Sequence, residues 1–277
     1  MRGRPMTWSR IGRDALMLLG VMSAVLYWWF LTSTGGHPVD VHAYWVSDPS
    51  NLYGVALGGG TTDAYLYSPA FELVVGWGRH LPFEVFAAIW RAVLLALLVW
   101  MAGPFTIFVL LTPAVASEIN AGNIQIMLAA AIVIGFRYSA SWAFVLLTKV
   151  TPGIGLLWFA LRRRWRDLGI ALGVTAVIVA ISFVLHPDRW LDFLAFVTHG
   201  GNSVVAPYYL PLSVRLVPAL AFIVWGGWKG YRWPVVVGST LALPVFYTIS
   251  PSMLVGVLPF AREALGRRLG TTEKEIG

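Results

Sequence analysis

The sequence has few charged residues and no cysteine. Only 12% of its 277 residues are Asp, Glu, Lys or Arg, whereas 58% are hydrophobic, and a soluble domain carries about 25% charged residues. So few charges cannot cover the surface that a chain of this length exposes to water. A soluble globular protein and a disordered chain are both excluded, and the composition predicts a polytopic helical membrane protein.

The absence of cysteine excludes a disulfide framework, a thiolate zinc site and a cysteine nucleophile. The net charge of +7 would also suit a nucleic-acid-binding protein, but the sequence has no Cys–His zinc spacing, RNP pattern or helix-turn-helix signature. In a membrane protein an excess of Lys and Arg belongs to cytoplasmic loops. We therefore expect no nucleic-acid partner.

The first apolar run, residues 15–31, predicts a retained membrane helix over 14–34 rather than a cleaved signal peptide. Four arginines precede it, and no small-residue cleavage site follows it. Tyr27, Trp28 and Trp29 are typical of an interfacial aromatic belt. We expect the N-terminus of this helix to lie in the cytoplasm.

Acidic and basic residues are segregated along the chain. Segment 35–68 has three aspartates and no Lys or Arg, so the positive-inside rule places it outside the cytoplasm as the first extracytoplasmic loop. Fourteen of the 20 basic residues fall in four clusters, which we place on the cytoplasmic side of the plasma membrane with both chain termini. The clusters are Arg2, Arg4, Arg10 and Arg13; Arg162, Arg163, Arg164 and Arg166; Lys229 and Arg232; and Arg262, Arg267, Arg268 and Lys274.

Several apolar pieces of the central stretch, residues 69–161, are shorter than the roughly 20 residues of a full crossing, and prolines interrupt the stretch. Short broken helices at membrane depth occur where they are buried in protein or line a cavity. We therefore expect this stretch to build a cavity.

The remaining membrane helices fall in residues 168–262, and 263–277 form a cytoplasmic tail. Within them the pattern predicts an outer loop over 186–210 and crossings at 211–228 and 233–249. The whole chain, 1–277, is thus predicted as one all-α transmembrane domain with about nine or ten helical membrane segments.

Polar residues in or beside apolar segments mark candidate sites, because a charge at a helix centre costs about 2.5–3.5 kcal/mol on insertion. Asp40 lies where the chain re-enters the interface after the first helix. It is either a general base with a raised pKa or the cap of a short helix beginning at Val41. His42 either assists Asp40 or is a solvated loop residue, and Asp48 and Asp63 lie in turn-forming sequence.

Four further polar side chains are candidates for contacts with substrate. Asn123 and Gln125 are suited to hydrogen-bond sugar hydroxyls, and Asn123 is also suited to cap a helix. Lys149 lies too far from the arginines at 162–166 to reach the inner interface, so it either faces a cavity, as a partner for phosphate, acid or sugar, or pairs with an acid. Arg189 either binds a lipid phosphate or anchors the outer loop with its neighbour Trp190. The candidate acids for Lys149 are Glu72, Glu84 and Glu118.

The order of these motifs resembles a known class of membrane enzymes. The motifs are Asp40 and Tyr44 in a D-x-x-x-Y setting, Tyr65-Leu66-Tyr67-Ser68-Pro69, Gly122-Asn123-Ile124-Gln125, and Lys149 with Pro152 before the RRRWR stretch. From residue 36 to residue 260 the chain resembles the GT-C membrane glycosyltransferases. It looks most like glycosyltransferase family 87, the polyprenyl-phosphate-mannose-dependent mannosyltransferases of actinobacteria.

The resemblance implies a GT-C-like fold and a transferase of the cell envelope. The donor would be a sugar on a polyprenyl phosphate, with mannose favoured over arabinofuranose, and the acceptor would be a glycolipid or glycan at the outer face. Asp40 would be the general base of an inverting transfer, and no cofactor or metal would be required. The substrate-binding candidates that follow are Tyr44, Tyr67, Asn123, Gln125 and Lys149 from the resemblance, and His42 and Arg189 from their position and charge.

The chain also departs from the family pattern. It is shorter than the usual family member, and Ser68 stands where the family commonly has the first of two prolines. Two other functions fit polar residues in broken helices. One is a transporter or flippase for a lipid-linked sugar; the other is a non-catalytic GT-C-like subunit with a membrane-protein partner, which the short length favours.

Overall fold

A computed structural model describes residues 8–35, 38–60, 62–199 and 210–265 of the chain. These residues form an all-α structure without a β-strand. The α-helices are α1 (Trp8–Ser33), α2 (Val39–Val46), α3 (Gly54–Leu57), α4 (Pro69–Val75), α5 (Phe83–Ala102), α6 (Thr106–Leu110), α7 (Pro113–Ala121), α8 (Gln125–Gly135), α9 (Trp142–Thr148), α10 (Leu157–Leu161), α11 (Trp165–Leu185), α12 (Pro187–His199), α13 (Leu212–Lys229) and α14 (Trp233–Leu241). The 3-10 helices are Gly76–His80, Gly103–Phe105, Ser139–Ser141, Thr151–Leu156 and Ser250–Val257, and residues 258–265 are again helical.

Three stretches of the described chain are long and apolar enough to span a membrane: Ile11–Ser33, Phe83–Leu110 and Trp165–Leu185. A fourth span is formed if α7 and α8, which meet at a bend of 104°, are counted as one. Apolar side chains such as Leu26 and Val184 are largely exposed on α1 and α11, as expected for surfaces that face lipid. The predicted class, a helical membrane protein, is confirmed.

The central stretch consists of short broken helices, as the sequence predicted. Apart from α5, its longest α-helix is α8 with 11 residues. Pro69 and Pro113 begin α4 and α7, where proline fits because the first N–H of a helix has no partner within the helix. Lys149 lies at a break, since α9 ends at Thr148 and the next 3-10 helix begins at Thr151.

Two segments differ from the sequence-based prediction. The outer loop at 186–210 contains the helix α12, which begins at Pro187 with Asp188 in its first turn, a favourable start for a helix. The crossing at 233–249 is too long, because α14 ends at Leu241 and Pro244 cannot continue a helix. The guanidinium of Arg215 instead donates to the carbonyl oxygens of Leu241 and Leu243 at 2.5 and 2.8 Å.

Helix α5 has different neighbours at its two ends. Before its first residue, the indole N–H of Trp45 in α2 donates to the carbonyl of Leu81 at 2.9 Å. Near its last residue, Arg262 donates to the carbonyl of Trp100 at 3.1 Å. The start of α5 therefore lies beside the predicted outer loop, and its end lies beside a basic cluster.

The basic clusters meet at that far end of α5. Arg232 lies 3.8 Å from Glu263, the neighbour of Arg262, and the Trp158 indole, in the helix that precedes the arginines at 162–166, donates to the carbonyl of Tyr231 at 2.9 Å. Three clusters that are distant in sequence thus lie at one end of the molecule. Five of the basic residues that were assigned to the same side lie outside the described residues: Arg2, Arg4, Arg267, Arg268 and Lys274.

Candidate active site

Asp40 lies in the first turn of the short helix α2, which packs against α4, α5 and α7. The alternative that Asp40 caps a helix beginning at Val41 is wrong. The helix begins at Val39, Pro38 occupies the N-cap position, and no side chain caps it. An acid in a first turn is favoured by the helix dipole, and this position leaves the carboxylate free for contacts across the fold.

The carboxylate of Asp40 accepts a hydrogen bond from a residue 83 positions away. Asn123 Nδ2 donates to Asp40 Oδ2 at 2.9 Å, while Asn123 Oδ1 accepts the N–H of Ile124 at 2.7 Å. Both ends of the amide are therefore used, so its orientation is fixed. The prediction that Asn123 caps the next helix is wrong, because Ile124 occupies the N-cap position of α8, and sugar binding by Asn123 stays a prediction. Its observed contacts are with the candidate base and with the backbone that leads into α8.

Gly122 allows the bend that brings Asn123 to α2. It has φ +73°, a left-handed conformation that favours glycine, and a Cβ at this position would collide with the side chain of Val41. The Trp90 indole donates to the Gly122 carbonyl at 2.7 Å. The backbone at the bend between α7 and α8 therefore packs directly against α2, the helix that carries Asp40.

Burial and charge act in opposite directions on Asp40. Desolvation raises the pKa of its carboxyl above the ordinary value of 3.8, while the hydrogen bond from Asn123 and the positive charge of Lys149 lower it in part. Asp40 and Lys149 are both partly exposed. A desolvated carboxylate that still reaches the surface is suited to accept a proton from a bound hydroxyl.

Two tyrosines form a buried wall beside Asp40. The hydroxyl oxygens of Tyr44 and Tyr67 lie 3.0 Å apart, and both side chains are almost fully buried. Burial raises the pKa of both phenols, so they stay protonated at neutral pH and can donate hydrogen bonds. Tyr247, which no sequence motif marks, also lies close to Asp40: burial and then the negative charge of Asp40 raise the pKa of its phenol.

Glu118 is a fully buried acid at the same bend. Its Oε1 accepts the N–H groups of Gln125 and Ile126 at 2.5 and 3.2 Å, and its charge interacts with those of Lys149 and Asp40. Among the three acids considered for Lys149, Glu118 is therefore the one near it. The sequence signal was an acid within an apolar stretch, but the bend that brings it to the site is not visible in the sequence.

Two candidates have partners elsewhere. His42 Nδ1 lies 2.6 Å from Asp63 Oδ1, so a hydrogen bond joins these two loop residues. Arg189 donates to Glu72 Oε2 at 3.1 Å, and Arg79 donates to Glu72 Oε1 at 2.7 Å. The structure thus places Arg189 at a buried carboxylate of α4 rather than at the pair formed by Asp40 and Asn123.

The site has a partly exposed rim and a buried floor. Asp40, Lys149 and Tyr247 form the rim, and Tyr44, Tyr67, Glu118, Asn123 and Gln125 form the floor. Two open cavities of about 440 and 400 Å³ lie elsewhere, one between α1 and α5 and one beside Arg137 and Arg166. In the described part of the chain, no group of three or more His, Asp or Glu residues is placed to hold a metal ion.

This combination of groups defines the chemistry that the site can perform. The carboxylate can accept a proton, the ammonium group of Lys149 can offset an anionic charge, and the amides and phenols can hydrogen-bond a polyhydroxylated substrate.

Comparison with known proteins identifies the family. The sequence model of glycosyltransferase family 87 matches residues 65–265 of this chain. A polyprenol-phosphate-mannose-dependent alpha-(1-2)-phosphatidylinositol pentamannoside mannosyltransferase of Mycolicibacterium smegmatis is 27% identical over 64% of this chain and 51% of its own length, so the chain spans about half the length of that relative. No solved structure matches the chain. Because the family match covers most of the sequence, the resemblance inferred from the motifs is confirmed, and the chain belongs to glycosyltransferase family 87.

Proposed function

We propose that this membrane glycosyltransferase transfers mannose from a polyprenyl-phosphate donor to a hydroxyl of a glycolipid or glycan, with inversion and with Asp40 as the general base. The family supports sugar transfer, and the mannosyl donor is the one in the name of the mycobacterial relative. The observation that carries the proposal is the hydrogen bond from Asn123 to the partly exposed Asp40, within reach of the charge of Lys149.

The proposed step needs one base and one cation. The acceptor oxygen attacks the anomeric carbon from the face opposite the phosphate, and its proton passes to the Asp40 carboxylate. The bond between the anomeric carbon and the phosphate oxygen breaks, and its electron pair leaves with the polyprenyl phosphate. Lys149 offsets the charge of that phosphate. Positioned general bases contribute about 10²–10⁴-fold in rate.

We further propose that the reaction takes place on the outer face, with both termini in the cytoplasm. Asp40 and the basic clusters lie at opposite ends of α5, a helix of 20 residues that is about 30 Å long. The positive-inside rule assigns the arginine-rich end to the cytoplasm, which supports an outer location for Asp40.

The test is an assay of the purified protein with radiolabelled polyprenyl-phosphate-mannose and a lipid acceptor extract. We expect transfer by the wild type and a loss of at least about 10²-fold in Asp40→Asn. Asp48→Asn is the matched control, because Asp48 lies in the same loop but is exposed and accepts a hydrogen bond from the hydroxyl of Ser50, two residues further on.

Each outcome of the assay bears on a separate part of the proposal. Wild-type-like transfer by Asp40→Asn rejects Asp40 as the base. Transfer from polyprenyl-phosphate-arabinofuranose in place of the mannosyl donor rejects mannose as the sugar, and no transfer from either donor rejects the proposed reaction.

A further inference from the structure

Three buried polar atoms at the bend between α7 and α8 have no hydrogen-bond partner among the described residues. They are Glu118 Oε2, Gln125 Oε1 and Gln125 Nε2, and both side chains are fully buried. An unpaired buried polar group is unfavourable because it has lost its hydrogen bonds to water, so native structures rarely keep one without a water molecule, ion or ligand as its partner. Three such atoms in one place therefore need an explanation.

The three atoms belong to the candidate active site. Gln125 and Glu118 are joined by the hydrogen bond from the Gln125 N–H to Glu118 Oε1, and Asn123, between them in sequence, holds Asp40. The charge of Glu118 also interacts with Lys149 and Asp40. The unpaired atoms thus lie on the floor of the site whose rim is formed by the proposed base and cation.

The two carboxylate oxygens of Glu118 have different environments. Oε1 accepts the first N–H groups of α8, which have no partner within the helix, while Oε2 has none. Support of the bend requires one acceptor oxygen, which a glutamine would also supply. The second acceptor is therefore available for a ligand.

The atoms also define the chemistry of that ligand. Together they offer two acceptors and one amide donor, so the partner must both donate and accept hydrogen bonds. A phosphate group supplies acceptors only and would leave the acceptor oxygens of Glu118 and Gln125 unpaired, and an isoprenyl chain would leave all three atoms unpaired. Neighbouring sugar hydroxyls, each a donor and an acceptor, match the set.

We propose that Glu118 and Gln125 form the hydroxyl-binding subsite that selects the transferred sugar, with Glu118 Oε2 accepting a hydrogen bond from one hydroxyl and Gln125 contacting its neighbour. This inference rests on the proposed function and extends it to substrate selection. Asp40, Lys149 and Tyr247 are partly exposed whereas Glu118 and Gln125 are fully buried, so the proposed route of the sugar to Glu118 and Gln125 passes the three partly exposed residues.

The test is a thermodynamic cycle of the double-mutant type, in which one change is a substitution in the enzyme and the other is the removal of a single hydroxyl from the donor. We measure kcat/KM of the wild type, Glu118→Gln and Gln125→Leu with polyprenyl-phosphate-mannose and with its monodeoxy analogues. Glu118→Gln keeps an oxygen for the backbone N–H groups and replaces the other oxygen with an amide nitrogen. Glu84→Gln is the matched control, since it makes the same change at an exposed acid.

We expect one deoxy donor to lower kcat/KM of the wild type by about 10–100-fold, because removal of one hydroxyl leaves a buried polar atom of the site without its partner. In Glu118→Gln the mannosyl donor loses a similar factor, and the same deoxy donor causes no further loss, because the two changes remove one interaction. The Glu84→Gln control keeps the wild-type pattern.

The inference is rejected if the variants and the deoxy donors act independently. If every deoxy donor keeps its wild-type penalty in Glu118→Gln, then Glu118 supports the bend without binding sugar and the inference is rejected. If Glu118→Gln does not fold, as judged by gel filtration in detergent, the same criterion is applied to Gln125→Leu. Absence of transfer by the wild type is a separate result that overturns the proposed function and this inference together.

Discussion

At the scale of single residues, the environment of Asp40 determines the pH at which the site can work. Burial raises the pKa of this carboxyl above 3.8, and only its deprotonated form can act as a base. We therefore expect kcat/KM for sugar transfer to fall as the pH drops through that raised pKa, by about tenfold per pH unit at the acidic limit. The pH–rate profile measures this directly, and a profile that stays flat down to pH 4 contradicts it.

Replacement of Asn123 tests whether its hydrogen bond to Asp40 lowers the pKa of that carboxyl. The amide N–H of Asn123 favours the ionised carboxylate and so lowers its pKa. In Asn123→Ala this contribution is lost, and we expect the acidic limb of the kcat/KM profile to move to higher pH. A limb that moves to lower pH, or a loss of rate without any shift, contradicts the assigned role of Asn123 as a donor to Asp40.

The same burial predicts a conflict between activity and stability. Because the folded-state pKa of Asp40 is raised, the charged form costs folding free energy at neutral pH, and this cost disappears as the pH falls through that pKa. Asp40→Asn keeps the shape and removes the charge. We expect its melting temperature in detergent at pH 7 to be unchanged or a few degrees higher than that of the wild type, in spite of its lost activity, and a marked decrease would contradict this.

The sequence could supply the residue types of the site, because each is a polar group in or beside an apolar run. Asp40, Tyr44, Tyr67, Asn123 and Lys149 come together as the motifs suggested. Sequence spacing could not place Arg189 at Glu72, because that contact joins residues 117 positions apart and depends on how α12 folds back over α4.

At the scale of helices and loops, the bend between α7 and α8 is the element that assembles the site. Gly122→Ala forces a side chain into a left-handed conformation, which costs about 1–2 kcal/mol, and it drives the new Cβ into Val41. We expect a melting temperature lower by about 2–8 °C and weaker sugar transfer, because α2 and Asp40 are displaced from Asn123.

Two further variants separate the local effect from a general one. Gly173→Ala in α11 is the matched control, since a Cβ there meets nothing within 4 Å and alanine favours the helix, so stability and activity should not decrease. Val41→Ala in the Gly122→Ala background removes part of the clash and should restore some activity. Failure of this second substitution to restore any activity would show that the bend does not act through α2.

The broken helices were predictable, but their geometry was not. Prolines and short apolar pieces indicated breaks over 69–161, and Lys149 lies at one of them. The angle of 104° between α7 and α8 depends on the close contact of Gly122 with Val41, which is 81 positions away in sequence. A local sequence pattern cannot predict a contact over that separation. For the same reason the sequence did not indicate the position of Glu118.

At the scale of the whole molecule, the two ends of α5 predict which surfaces are accessible from each side of the membrane. The chain has no native cysteine, so Asp48→Cys and Arg166→Cys each introduce a single thiol at an exposed position. We expect a membrane-impermeant thiol reagent to label residue 48 from outside intact cells and to label residue 166 only after the cells are opened. Labelling of both residues from the same side contradicts the proposed orientation.

The bend between α7 and α8 also bears on how the protein is made. With 9 and 11 residues, neither half is long enough to cross the bilayer alone, and the polar groups at their junction cannot be left facing lipid. The pair therefore has to enter the membrane against partners that are already in place, above all α2 and α5, which cover the junction through Val41 and Trp90. We expect the longer helices to be integrated first during synthesis, and the groups of the candidate site to come together only in the last stage of assembly.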